Sequence, residues 1–575
     1  MSKITVSDLL AEALHQAGVK RVYGIAGDSL NSLTEALRRR GDIQWIHVRH
    51  EEVAAFAAGA EAHLTGSLAV CAGSCGPGNV HLINGLYDCH RSRVPVLAIA
   101  AQIPSAEVGR SYFQETHPQN LFQECSHYCE MVSTAEQLPG VIETAIRVAV
   151  AKRGVSVLVV PGDVGAMEAP PYSALSSSLL PAEPLMRPQD RDLDELAKLL
   201  NASGRITLLC GRGCYGAHVP LMRLADALKS PIVHALGGKE GVEWDNPFDV
   251  GMTGLIGFSS GYHAMLDCDT LLMLGTDFPY RQFYPTKSKV AQVDVRPESL
   301  GRRCRIDLGV LGDVGATIEG LLPRLEAKAD RAHLDDSLAN YKKARQGLDD
   351  LAVGHAGGTL HPQFVAKTLS DLAADDAVMT FDVGTPTIWA ARYFKMNGKR
   401  RLIGSLNHGS MANALPQAIG AQSTYPGRQV ISFSGDGGFT MLMGDMLTLG
   451  QHKLPVKIVV LNNGMLGFVQ MEMMGAGYLD TAVSLVNPNF ATMATGAGLF
   501  ARRVEDPAEL AGAMREVLAY PGPALLDVVT PPNELSMPPK IGVKEAAGFG
   551  LWLARAVIDG RGTELLDVAR TNLFH

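Results

Sequence analysis

No stretch of this 575-residue sequence reaches the roughly 18–20 consecutive apolar residues that a helix needs to cross a bilayer. It has no basic block either. The net charge is −8, which leaves no electrostatic footprint for nucleic acid. Cysteine is sparse: nine residues, an odd number, in which Cys71/Cys75, Cys125/Cys129 and Cys210/Cys214 stand four apart rather than in C-x-x-C pairs. That excludes a disulfide framework and the common zinc and redox motifs, and predicts reduced thiols in a cytoplasmic protein. At the start, Val6, Leu9, Leu10, Ala13, Leu14 and Ala17 recur at helical spacing between charges, which predicts a surface helix and not a secretory signal.

What is present is ordinary globular material, 46% hydrophobic and 19% charged, in a chain too long for one core. Short apolar runs such as "LAVCAG", "VSVLVVPGD", "ITLLCG", "QVISFSGDG" and "VKIVVLNN" alternate with helical patterns. Continuous apolar strands separated by helices predict α/β domains built on parallel sheets covered on both faces. Residues 166–190, rich in Pro, Ala and Ser, read as a linker, residues 325–360 as a charged second joint, and "TPPNELSMPP" as a third boundary. The expected division is 1–180, 181–340 and 341–530, with a helical tail at 531–575.

Two stretches carry chemistry. In the first, Gly435-Asp436-Gly437 and Gly438 follow one strand and, 24 residues on, Asn462-Asn463 ends the next. Glycines let backbone amides approach an anion, a helix N-terminus favours phosphate, and a carboxylate with an amide oxygen suits Mg²⁺. The pattern predicts a Mg-diphosphate cradle. In the second, "RHEEVAAFAAGAEAH", Glu51 and Glu52 open a nearly all-apolar helix, where carboxylates oppose the macrodipole. "ITLLCGRGCYGAH" places Gly211-x-Gly213-x-x-Gly216 between a strand and a helix, the dinucleotide order. The following strand lacks the closing acid that a nicotinamide cofactor wants.

GDG followed by NN at this spacing resembles the signature of thiamine-diphosphate enzymes. The chain as a whole is similar to their FAD-dependent pyruvate oxidase family, in its quinone-linked branch. The resemblance implies three doubly wound domains and implies that Asp436, the Asn463 side chain and the Met465 carbonyl ligate Mg²⁺. It also implies that thiamine diphosphate is held by Glu51, Gly409, Ser410, Met411, Asp436, Gly437, Gly438, Asn463, Gly464, Met465, Leu466, Gly467, Phe468 and Val469. In that family a glutamate at the position of Glu51 hydrogen-bonds the cofactor pyrimidine from a second subunit and activates it; Glu52 keeps the dipole reading. FAD is implied at Gly211, Gly213, Thr253, Gly254, Leu255, Ile256, Thr276, Asp277, Phe278, Pro279, Tyr280 and Asp294. Phe113, Gln114, Phe468 and Glu472 match positions around the reacting carbon. His50, His81, His90 and His117 show no metal spacing and are read as ordinary polar residues.

In the tail, Phe549, Trp552, Leu553, Ala556 and Val557 share a helical face, as do Leu565, Leu566, Ala569 and Leu573. The tail's balanced charge excludes a polybasic anchor but leaves an interfacial apolar face open. The resemblance implies membrane binding there, pyruvate as substrate, ubiquinone as acceptor, a homotetramer, and a cytoplasmic protein peripherally bound to the inner membrane. Two other readings share the scaffold: a phosphate- and O₂-dependent oxidase, and an acetohydroxyacid-synthase-like carboligase.

Overall fold

The computed structural model describes residues 4–534, 543–558, 568 and 571–572. Three six-stranded sheets follow one another along the chain, and every pairing within them is parallel. Their central strands, such as Ala69–Gly73, Ile206–Cys210 and Val430–Gly435, are buried almost throughout, as continuous apolar runs between two helical layers must be.

With the six strands of each sheet numbered in chain order, the first and third sheets both run 2-1-3-4-6-5. The middle sheet runs 3-2-1-4-5-6. Ligands bind such sheets beyond the carboxyl ends of the strands where the order reverses. In the third sheet that point lies between Val378–Phe381 and Val430–Gly435, which delivers Asp382 and Asp436. In the middle sheet it lies between Ile206–Cys210 and Thr270–Leu274, which delivers Gly211–Gly213 and Gly275–Tyr280.

The joints read from composition are not passive. Residues 181–186 of the expected linker line the central cavity. The charged stretch contains the helix Ala332–Leu351, which packs Leu334, Leu338 and Tyr341 into the middle domain.

The helix Glu51–Thr65 explains its own composition. It lies between Pro77–Ser92 and Ala414–Thr424, and residues of the first and third domains share one core across it. A Cβ on Gly85 would lie 2.5 Å from Ala55 Cβ, one on Gly59 would lie 2.7 Å from Cys89 Sγ, and one on Gly420 would run into the Ala57 carbonyl. Within this chain, the Ala/Gly run therefore serves a seam between two of its own domains. Gly420→Ala should destabilise the protein by about 1–3 kcal/mol, the usual cost of overpacking, even though alanine is the better helix former. Denaturant unfolding measures this; an unchanged or higher midpoint would show that the seam yields.

Of the tail, the helix Val543–Ile558 is described. Trp552 (2% exposed) and Ala556 are buried, with Trp552 and Phe549 beside Met474 and Leu479. Arg555 donates to the Gly477 carbonyl at 2.5 Å. Leu553, expected on the same face as Trp552, is exposed, as is Leu551. Val557's side chain and the second expected face (Leu565, Leu566, Ala569, Leu573) lie outside the described residues. No described helix is long and apolar enough to cross a membrane.

Candidate active site

Asp436 begins a helix directly after the strand Val430–Gly435 and is buried. Its Oδ1 accepts the Gly437 N–H (2.8 Å), and its Oδ2 accepts the Gly464 N–H (2.6 Å) and the Asn487 side chain (2.7 Å). Burial raises its pKa, and these hydrogen bonds oppose the rise. Three of a carboxylate's roughly four acceptor directions are thus taken, which leaves one free for a cation. Asn463 Oδ1 accepts the Met465 N–H at 3.1 Å and keeps its second lone pair. Met465 and Ser484 form an antiparallel bridge beside the same turn, with the Leu466 N–H on the Val483 carbonyl and the Leu485 N–H on the Gly464 carbonyl. An all-oxygen donor set with one open direction per ligand fits Mg²⁺ bridging to phosphate. A Cβ on Gly437 would meet Leu466 at 2.6 Å and Met411 at 3.3 Å, so only glycine leaves the cradle open.

Asn487 was not legible in the sequence. It is a lone loop asparagine that ties Asp436 to Asn462 Oδ1 (3.0 Å), and no spacing announces it. Asp382, in the stretch "FDVGTP" at the end of Val378–Phe381, is the second buried acid beside the cradle. Its Oδ1 accepts the Asn413 and Val383 N–H groups, and its Oδ2 has no partner among the described residues. Burial pushes its pKa up to about 7. Oδ2 occupies the space that any side chain at Gly438 would need.

The cradle opens into one cavity of about 1290 Å³, larger than the roughly 300–1,000 Å³ of a single small-ligand pocket. Gly409, Met411, Asp436, Gly437, Gly438, Asn463, Met465, Leu466, Gly467, Phe468 and Val469 line it. So does each residue expected for FAD, from Gly211 and Gly213 through Thr253–Ile256 and Thr276–Tyr280 to Asp294. Gly211, Gly213 and Gly275 pack backbone against backbone there, so these glycines serve close approach of two strand ends as well as a ligand. The hydroxyls of Thr253 and Thr276 are buried without partners among the described residues. Asp294 ends its strand with a carboxyl raised by burial to about 6. Orphaned hydroxyls plus a strand-end acid fit a dinucleotide. Asp277 is engaged chiefly by Arg303 (2.7 Å) and Arg302 (3.4 Å).

All three domains close this cavity. Glu240 binds Arg401, Tyr215 and the Leu402 N–H, Arg401 reaches the Leu64 carbonyl, and Arg212 reaches the Ser92 carbonyl and His63. Burial, with Arg153 and Arg401 nearby, lowers the Arg212 pKa to about 10.

Other expected residues stand apart. Ser410 and Gly464 support the cradle without lining the cavity; Ser410 Oγ accepts from Asn84. Glu472 is exposed, with its charge near Tyr280. Phe113 is 77% exposed, and Gln114 takes a left-handed φ of 61° beside Cys75. Glu51 is buried but does not line the cavity; its carboxylate bonds His81 at 2.9 Å. Within one chain, the first domain's candidate catalytic groups are not brought to the third domain's cradle. Two sequence readings need correction here. Glu52 is more than a helix-end charge, since it accepts from Asn84, which also binds Ser410 and His408. His81 is not an ordinary polar residue.

An all-oxygen cradle that fits Mg²⁺ and phosphate at one switch point opens into a crevice at a second, an arrangement suited to two phosphate-bearing cofactors. The chain belongs to the thiamine pyrophosphate enzyme family. The family's C-terminal TPP binding domain matches residues 382–528, its N-terminal TPP binding domain 4–123 and its central domain 193–321. A Pseudomonas amyloderamosa protein of 42.6 kDa, itself uncharacterised, is 71% identical over 61% of this chain and 89% of its own. A pyruvate oxidase of Lactiplantibacillus plantarum is 32% identical over 92% and 89%. A chloroplastic acetolactate synthase of Arabidopsis thaliana is 29% identical over 92% and 82%.

Two outcomes follow. Asn487→Ala should weaken Mg²⁺ binding in the presence of thiamine diphosphate by about 10–100-fold, the range for a removed outer-shell partner, read by calorimetry. Asp382 should give stability a slope in pH. Below about pH 4 it is protonated folded or unfolded, whereas between about 4 and 7 only the folded chain keeps the proton. Its contribution to stability therefore falls as pH rises through that window and is constant above it; Asp382→Asn should remove that component from the pH profile of denaturant unfolding.

Proposed function

We propose that the protein oxidatively decarboxylates pyruvate, using thiamine diphosphate, Mg²⁺ and FAD, and passes the electrons to a membrane quinone such as ubiquinone. The observation that carries this reading is the single cavity that joins the cradle to the dinucleotide crevice, with Phe468 and Val469 on its wall. Pyruvate and water give acetate, carbon dioxide, two protons and two electrons, and the electrons reduce the quinone. Thiamine diphosphate supplies the carbon nucleophile and electron sink, and FAD the two-electron acceptor.

The chain's own groups hold and orient. Asp436 and Asn463, with the Met465 carbonyl, would hold Mg²⁺ and through it the diphosphate, while Met411 and Leu466 crowd the space over Gly437. Thr253, Thr276 and Asp294 would hold the flavin nucleotide. Arg392 donates to the Ile256 carbonyl at 3.0 Å and so ties the nucleotide loop to the cradle's domain. Phe468, on the cavity wall, would exclude water from the space between the two. Because Glu51 lies outside its own chain's cavity, a second copy would have to supply it, in keeping with a homotetramer. The pyruvate oxidase relative supports the substrate. The apolar tail, with Leu551 and Leu553 exposed, supports peripheral contact with the inner membrane from the cytoplasmic side.

Anaerobic pyruvate should bleach the flavin of the reconstituted protein, and a soluble quinone should restore it with acetate as product. Formation of acetyl phosphate would favour the phosphate-dependent oxidase, and condensation product without bleaching the carboligase. Glu51→Gln should lose bleaching by at least about 100-fold. Removing residues 549–575 should abolish sedimentation with phospholipid vesicles and leave flavin reduction intact; undiminished vesicle binding would overturn the tail's role.

A further inference from the structure

His50 caps the helix Glu51–Thr65, with its Nδ1 accepting the Glu52 N–H at 3.2 Å. That bond leaves the proton of a neutral His50 on Nε2. His81, on the helix Pro77–Ser92, stacks on the His50 ring at 4.4 Å with 24° between planes, and its Nδ1 meets Glu51 Oε2 at 2.9 Å. The ligand atoms of His50, Glu51 and His81 lie within 4.8 Å of one another. Stacked rings keep their lone pairs in nearly parallel planes, which disfavours convergence on one ion, so the cluster suits hydrogen bonding. An ionised Glu51 can only accept, so His81 Nδ1 donates.

The two carboxylate oxygens are therefore unequal. Oε2 is taken by His81. Oε1 has no hydrogen bond among the described residues and lies over Gly78, where a Cβ would come within 3.1 Å of it. The frame is stiff, because the two helices meet at Gly85 against Ala55 and Gly59 against Cys89 with no room to shift.

We propose that His81 is a positioning residue for Glu51: its Nδ1–H holds Oε2 and leaves Oε1 as the one oxygen offered to a cofactor pyrimidine. This rests on the reading of Glu51 as the activating carboxylate. His81 does not touch the cofactor; it acts through Glu51, by fixing the rotamer of a side chain that would otherwise share its two oxygens between several partners.

Substitutions separate orientation from bulk. Asparagine places an amide N–H close to the position of histidine Nδ1, whereas glutamine carries its amide one methylene further out. The side chain is 44% exposed, so none of these changes opens a core cavity. The full-length variants, loaded with thiamine diphosphate and Mg²⁺, are compared by acid-quenched NMR for hydrogen–deuterium exchange at the cofactor's thiazolium C2, and by calorimetry for cofactor affinity. His81→Ala and His81→Gln should slow exchange by about 10–100-fold, while His81→Asn stays within about 5-fold of the parent. Cofactor dissociation constants should change by less than about 3-fold in all three, since no cofactor contact is lost. Parent-like exchange in His81→Ala, or exchange in His81→Asn as slow as in His81→Ala, overturns the proposal. Glu51→Gln in the same assay isolates the premise. If that variant exchanges normally, the reading of Glu51 falls; if it is silent while His81→Ala is normal, only the role of His81 falls.

Discussion

Everything about this molecule's site depends on a helix that passes between two others with no space for a side chain at its glycine crossing points. Glu51–Thr65 is clamped by Pro77–Ser92 on one side and Ala414–Thr424 on the other, and glycines at 59, 85 and 420 stand where a methyl group would collide. Close backbone approach sets helix separation rigidly, because packed interiors do not deform gradually. From that seam follow the orientation of the third domain against the first, the closing of the cavity by Leu64 and Ser92, and the placing of Glu51 and His81 at one end of the clamp.

Around this frame the protein buries several carboxylates that it satisfies with neutral donors. Asp436 is held by two main-chain N–H groups and an asparagine, Asp88 by Ser405 and Gln417, and Asp382 by two main-chain N–H groups at one oxygen only. Neutral donors only partly offset desolvation, which is why burial still raises all three pKa values. A carboxylate kept short of charge compensation is ready to receive a cation. Glu240 is the contrasting case: with Arg401 and Tyr215 on it, it locks domains together.

The helix Val543–Ile558 packs against the helix Gly467–Ala476, whose first turn carries Phe468 and Val469. Trp552 and Met474 share a small core away from the large ones, while Leu551 and Leu553 of the same helix face solvent. Helical periodicity placed Leu553 with Trp552; packing against one neighbour divided them.

The central strands and the residues that line the two switch points were legible in the sequence because each is a local pattern: an apolar run, then glycines, then an acid or amide at the strand end. The short outer strands Gln44–His47, Tyr128–Met131, Arg401–Ile403 and Phe500–Val504 were not, because edge strands of three to five residues are only partly buried and lack a continuous apolar signature. Asn487 and the pairing of His81 with Glu51 were equally silent. The sequence by itself determined which residues carry charge, carboxylate or amide oxygen and backbone freedom, and at which strand ends. Only the tertiary structure decided which of them meet. Contacts between residues 30, 51 or 326 positions apart, such as His81 to Glu51, Asn487 to Asp436 or Ser410 to Asn84, depend on helix separation and sheet order. Neither quantity is written in any window of sequence.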